Sequence, residues 1–129
     1  MCLKPIVKIG IDEALKSNFR YRVSAIIFKS NRIYAKGHNY QSKPNTNLHP
    51  KLRHPFFTIH AEIDAISKLN RSDSSNLDIL ILRITGKKHL KLTMAKPCIH
   101  CQRALQFMNF RRIYFSNDLS QIEVFEFGT

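Results

Sequence analysis

The sequence predicts a chain of the α/β class, a three-layer α/β/α sandwich around a mixed five-stranded sheet. Three observations lead there. Read along the chain, the segments follow in the order α, β, β, α, β, α, β, β. Two of the helical segments, residues 58–69 and 97–108, each carry one apolar stripe, as a helix lying on a sheet does. Between them, Ile79-Leu80-Ile81-Leu82 is a nearly continuous apolar run, the pattern of a strand covered on both faces. The length of 129 residues, with 43% hydrophobic and 23% charged, fits a single domain over residues 1–129 and excludes disorder as the main state.

Taken in order, residues 11–19 read as a short helix with Asp12 and Glu13 in its first turn, where carboxylates complement the helix dipole. Residues 21–29 are rich in β-branched and aromatic side chains. Ser30-Asn31 then makes a turn and residues 32–36 return, which predicts a hairpin. Gly37-His38-Asn39 closes the second strand. Residues 41–55 hold Pro44, Pro50 and Pro55 among Asn, Thr, Ser and His, and so form a long loop that is a candidate wall for a site. Ile59, Ile63, Ile66 and Leu69 are spaced four, three and three, with Thr58 as N-cap, and predict an amphipathic helix. A polar turn at 71–76 leads to the strand at 77–85. Pro97 fits the first turn of the next helix, where its missing N–H would be unpaired anyway, and Cys101, Leu105 and Met108 continue one stripe. Residues 112–116 and 122–127 are strands joined by only 117–121, too short for a helical crossover, so the last strand returns antiparallel.

Composition narrows the function. Twenty-one Lys and Arg against nine Asp and Glu give a net charge of +12, which points to a partner or substrate carrying negative charge. From Ala14 to Ala61 there are nine basic residues and no acidic one. Arg22, Lys29, Lys68, Arg83 and Arg103 interrupt every apolar run, so no membrane span is expected. The first ten residues lack a continuous apolar segment with a cleavage site, and a cytoplasmic protein is expected. Three cysteines, with Cys98 and Cys101 close together and Cys2 alone, suit a metal or redox use of the pair better than a disulfide framework. His49 and His54 read as loop residues and Phe56 and Phe57 as core. The doublets Lys87-Lys88 and Arg111-Arg112 read as solvated charges within reach of phosphate.

Two motifs carry chemistry: His60-Ala61-Glu62 at the head of one amphipathic helix and Pro97-Cys98-Ile99-His100-Cys101 at the head of the other. Cys98 and Cys101, three apart, project from one face of a helical turn and can grip one ion, and the positive end of the helix favours thiolates. His60 supplies a third ligand if the two helices lie side by side, leaving one tetrahedral position for water. A metal polarises such a water enough to make hydroxide available near neutral pH. Glu62, two residues beyond His60, faces the space above the metal and can pass on a proton. Two rivals remain: a dithiol oxidoreductase, and a basic nucleic-acid-binding module whose structural zinc would need a fourth ligand, His100 or His89.

These two motifs together resemble the zinc-dependent cytidine and deoxycytidylate deaminase superfamily, and the order of elements around them agrees over most of the chain. The resemblance implies a cytidine deaminase-like fold and Zn2+ held by His60, Cys98 and Cys101, with Glu62 as general acid and base. Asn39 is similar to the asparagine that deaminases of the deoxycytidylate and transfer-RNA adenosine type use to hold the nucleoside, and Ala61 and Pro97 are implied as further substrate contacts. The antiparallel last strand, by contrast, resembles the free-nucleoside deaminases. The implied reaction converts a cytosine base to uracil, on a nucleotide such as deoxycytidylate or on cytidine or deoxycytidine. A single-stranded polynucleotide bearing cytosine or adenosine is the alternative partner, and a homo-oligomer is the implied assembly.

Overall fold

A computed structural model describes residues 3–18, 21–41, 58–70, 75–86 and 89–125. In chain order the elements are α1 (Lys4–Ala14), β1 (Arg22–Lys29), β2 (Arg32–His38), β3 (Tyr40–Gln41), β4 (Thr58–Ile59), α2 (Ala61–Lys68), β5 (Asp78–Thr85), β6 (Lys91–Thr93), α3 (Ile99–Phe107), β7 (Arg112–Ser116) and β8 (Ile122–Phe125). β1 and β5 are buried on both faces and therefore lie at the centre. Ala25, Ile27, Ile79 and Ile81 point into one core together with the apolar stripes of α2 and α3. Ile26, Phe28, Leu80 and Leu82 point into a second core against Ile6 of α1. Alternate residues of one strand thus need helices on opposite sides, and the expected three layers result.

The main sheet runs β2-β1-β5-β7-β8. β1 is antiparallel to β2 and to β5, whereas β5 and β7 are parallel because α3 crosses between them. The short link after β7 returns β8 antiparallel, as its length requires. Asn117 builds that turn: its Oδ1 accepts from the Leu119 and Gln121 amides at 2.9 and 3.0 Å. In the β1–β2 hairpin, Ser30 takes a φ of 53°.

Several expectations are corrected. The first helix starts at Lys4, not Ile11, because Pro5 suits a first turn and the buried positions Ile6, Gly10, Glu13 and Ala14 already follow a helical spacing. Asp12 and Glu13 consequently lie in its last turn. Glu13 is held there by a 2.7 Å contact to His38 Nδ1 and a 3.0 Å bond from Lys16 Nζ, not by the helix dipole. Burial would raise the Glu13 pKa, but the bonds and charges of His38 and Lys16 outweigh it and hold the carboxyl below its usual range. Thr58 is not an N-cap: with Ile59 it pairs with Tyr40-Gln41, so the helix begins at Ala61 and His60 caps it. Pro97 lies just before the cap of α3 rather than within its first turn, since Cys98 is the cap. The main sheet has a sixth strand, β6, which pairs with the end of β5. The loop at 42–57 with His49, His54, Phe56 and Phe57, together with Lys87-Lys88, Cys2 and the end of the last predicted strand, lies outside the described residues.

Candidate active site

α2 and α3 lie on the same face of the sheet, and both contribute to the larger core. The position of α2 is set by Gly37 on β2. A Cβ there would come within 2.6 Å of the Ala61 carbonyl oxygen and 2.9 Å of Ala65 Cα, so only glycine lets the strand approach the first turn of the helix this closely. The His38 amide next to it donates to Asp64 Oδ2 at 3.1 Å and fixes the register. At the head of α3, Cys98 is the cap and its Sγ accepts from the Cys101 amide at 3.5 Å. Gln102 reaches back to the Pro97 carbonyl at 2.9 Å, closing the turn that presents both sulfurs.

The helix heads meet. His60 Nδ1 lies 3.3 Å from Cys101 Sγ and 3.8 Å from Cys98 Sγ, and the three donor atoms all fall within 4.8 Å of one another. A tetrahedral zinc with ordinary bond lengths sets its sulfur and nitrogen ligands about 3.6 Å apart. Two sulfurs and an imidazole at these separations therefore fit that ion. Neither His89 nor His100 belongs to this group among the described residues, so the fourth ligand that a structural site needs is not supplied by either. Cys101 is fully buried. Its hydrogen bond to Cys98, followed by burial and the charge of Glu62, pushes its thiol far above the ordinary range. A cation is what would turn this pair into thiolates.

Glu62 is 4% exposed and lines the same cleft as His60 and Cys98. Burial raises its pKa from 4.5 to about 7, with a further push from Cys98, so the carboxyl titrates near neutrality. The cleft encloses about 230 Å³, and Asn39, Ala61 and Pro97 line it, as do Val23, Arg83 and Lys96. Asn39 does double duty there. Its Oδ1 accepts from the Val23 amide at 2.9 Å and its Nδ2 donates to the Tyr21 carbonyl at 2.7 Å, so the side chain is fixed on the backbone at the start of β1 and the residue just before it. One amide hydrogen and one lone pair are left over.

Arg83, Lys96 and Ser116 were not singled out as site residues from the sequence. Ser116 is fully buried. It accepts from the Arg83 amide at 3.2 Å and donates to the Thr93 carbonyl at 2.6 Å, joining β5, β6 and β7 just before the segment that leads to Cys98. A signal existed for Arg83 alone: a cation directly after Ile79-Leu80-Ile81-Leu82 needs a polar destination. Arg111, by contrast, is committed elsewhere, its guanidinium meeting buried Asp78 through two bonds of 3.0 and 2.7 Å.

The fold is shared with solved structures. The deoxycytidylate deaminase of cyanophage S-TIM5 superposes with a TM-score of 0.60 at 23% identity, covering 89% of this chain and 82% of its own. Its complex with dCMP and dUMP gives 0.60 at 21%, over 89% and 80%. Cytidine deaminase from Burkholderia pseudomallei gives 0.68 at 14%, over 98% and 93%. Comparison with curated proteins finds no match. The family described as the cytidine and deoxycytidylate deaminase zinc-binding region matches residues 5–117. That stretch runs from α1 through β7 and takes in both helix heads, and on its strength the chain belongs to the zinc-dependent cytidine and deoxycytidylate deaminases.

Proposed function

We propose that the protein hydrolyses the exocyclic amine of a cytosine base on a nucleoside or nucleotide, with deoxycytidylate ranked first, to give a uracil-type product and ammonia. The observation that carries this is Glu62, buried in one cleft with His60 and Cys98, whose donor atoms cluster with the sulfur of Cys101. In this reading His60, Cys98 and Cys101 hold zinc. When bound, the ion makes a hydroxide nucleophile available near neutral pH.

The chain's own residues supply the rest. Glu62 takes a proton from the attacking water and delivers it to the ring nitrogen, while the water oxygen adds to the carbon that bears the amine. It then carries the second proton to the departing nitrogen, so that ammonia leaves as a neutral molecule. A carboxyl that alternates between its ionised and protonated forms serves both directions of transfer. Asn39, oriented by β1, offers its remaining amide hydrogen to the sugar, and Ala61 and Pro97 wall the base. The solved complex of the cyanophage enzyme with dCMP and dUMP supports the nucleotide ranking. A single-stranded polynucleotide is the second reading, favoured by the net charge of +12.

Glu62→Ala tests the central role. The variant is expected to retain zinc, measured by elemental analysis, while ammonia release falls roughly 10²–10⁴-fold. Undiminished turnover with zinc in place would overturn the proposal.

A further inference from the structure

We infer that the pair formed by Glu13 and His38 positions Asn39: anchored on α1, it holds the end of β2 flush with β1, so that the Asn39 amide meets the sugar of the substrate. The inference rests on the cytosine deaminase reading of the cleft and names the residues that orient one of its binding groups.

Glu13 is out of place by ordinary measures. It is buried in the same stripe of α1 as Ile6, Gly10 and Ala14, where an amphipathic helix would carry an aliphatic side chain. A buried ion pair adds little net stability, because taking both groups out of water offsets most of their attraction. What it can supply instead is a defined geometry. Here each partner is tied on more than one side. Glu13, held ionised, accepts from His38 Nδ1 at 2.7 Å through Oε2 and from Lys16 Nζ at 3.0 Å through Oε1. The His38 amide donates to Asp64 Oδ2, which is itself bonded to Lys68 Nζ at 3.0 Å, and the Tyr40 ring stands 5.9 Å from the imidazole.

Alternation along β2 converts this anchor into an orientation. Gly37 faces α2, against Ala61 and Ala65, so His38 faces α1 and Asn39 returns to the side of the cleft that it lines. His38 is the last residue of β2 and lies opposite Ser24 of β1. Directly after it, the Asn39 amide donates to the Val23 carbonyl at 3.1 Å, while Asn39 Oδ1 accepts from the Val23 amide. Both bonds require the end of β2 to lie against β1. Strand ends fray where nothing holds them, and β2 is an edge strand of the main sheet. Glu13 holds this one from the face opposite the cleft.

The test uses zinc-loaded protein carrying Glu13→Leu, which keeps an aliphatic volume in the stripe, or Glu13→Gln, whose carbonyl can still accept from His38. Glu13→Leu should keep its zinc and its kcat, while KM for deoxycytidine and deoxycytidylate rises about 10-fold, as for one lost hydrogen bond made equally in ground and transition states. Glu13→Gln should restore the wild-type KM. In an Asn39→Ala background, Glu13→Leu should add nothing further, because the pair acts through that residue. By NMR, the Asn39 side-chain amide signals, identified by their absence in Asn39→Ala, should shift and exchange faster with solvent in Glu13→Leu but not in Glu13→Gln. An unchanged KM, a rise that persists in full on top of Asn39→Ala, or a fall in kcat that tracks lost zinc overturns the inference and leaves the pair a packing element. Should Glu13→Leu not fold, His38→Leu removes the same bond from the strand side, with the same expectations. If the wild type releases no ammonia from any cytosine nucleoside or nucleotide, the deaminase reading fails. The NMR comparison then still decides whether the pair holds Asn39, and signals unmoved in Glu13→Leu overturn it.

Discussion

Glu62 carries the sharpest consequence at the scale of the residue. Its pKa in the folded, metal-free protein is about 7 against an ordinary 4.5, so the folded state binds its proton more tightly than the unfolded state does. The associated stability is complete below the ordinary value and is lost as pH rises through about 7. Glu62→Gln has no charge to desolvate. In the metal-free protein we therefore expect the variant to match the wild type near pH 4 and to exceed it by ~3 kcal/mol above pH 8. Denaturant midpoints at the two pH values read this directly, and a constant difference would refute it. At this same scale the sequence was most readable where spacing is local. His60 with Glu62, and Cys98 with Cys101, sit within one helical turn of each other, so their geometry follows from the helix. Arg83 and Ser116 matter because of which strands lie beside them, and that register is set by distant residues.

Elements were legible where their apolar residues formed a clear pattern. β1, rich in β-branched and aromatic residues, β5, a nearly continuous apolar run, and α3, with its single stripe, were placed within one or two positions. The two-residue strands β3 and β4 and the three-residue β6 have no period to read, so they emerged only from pairing. α1 was misplaced because its stripe includes Gly10 and Glu13, which do not look apolar, although both are buried. The contact of β2 with α2 is the element-level feature most open to test. Gly37→Ala forces a methyl against helix backbone that no rotamer change can move aside. The variant is expected to lose at least about 2 kcal/mol of stability and to bind zinc weakly, because α2 would shift with His60 at its head. Thermal melting and zinc stoichiometry check both parts, and a Gly37→Ala protein with full zinc content would show that the helix can yield.

Over the whole molecule, the two cores set a division of labour. α1 covers one face of β1 and β5, while α2 and α3 occupy the other and bring the chemistry to their N-termini. The sequence foresaw the layers because alternating residues of Ile79-Leu80-Ile81-Leu82 must each find cover, but it could not say which helix shared a face with which. No helix among the described residues is long and apolar enough to cross a membrane. The net charge of +12 acts at this scale as well, through the field around the protein. If the substrate is a mononucleotide, turnover should fall only slightly between 50 and 200 mM salt. A polynucleotide contacting six or more phosphates would lose about 10³-fold or more over that range. Steady-state rates at the two concentrations separate these outcomes.

The meeting of the helix heads also bears on how the chain holds its shape. Positions 60 and 98 are 38 residues apart, and the segment between them contains α2, β5 and β6. An ion bonded at both ends ties that segment into a ring, much as a cystine bridge would. Because the unfolded chain has no preformed site, the free energy of binding the ion is added to that of folding. Occupancy of the centre is in this way a mechanical fastener as well as a source of reactivity, and stripping the ion would slacken the catalytic wall at the moment it silenced the enzyme.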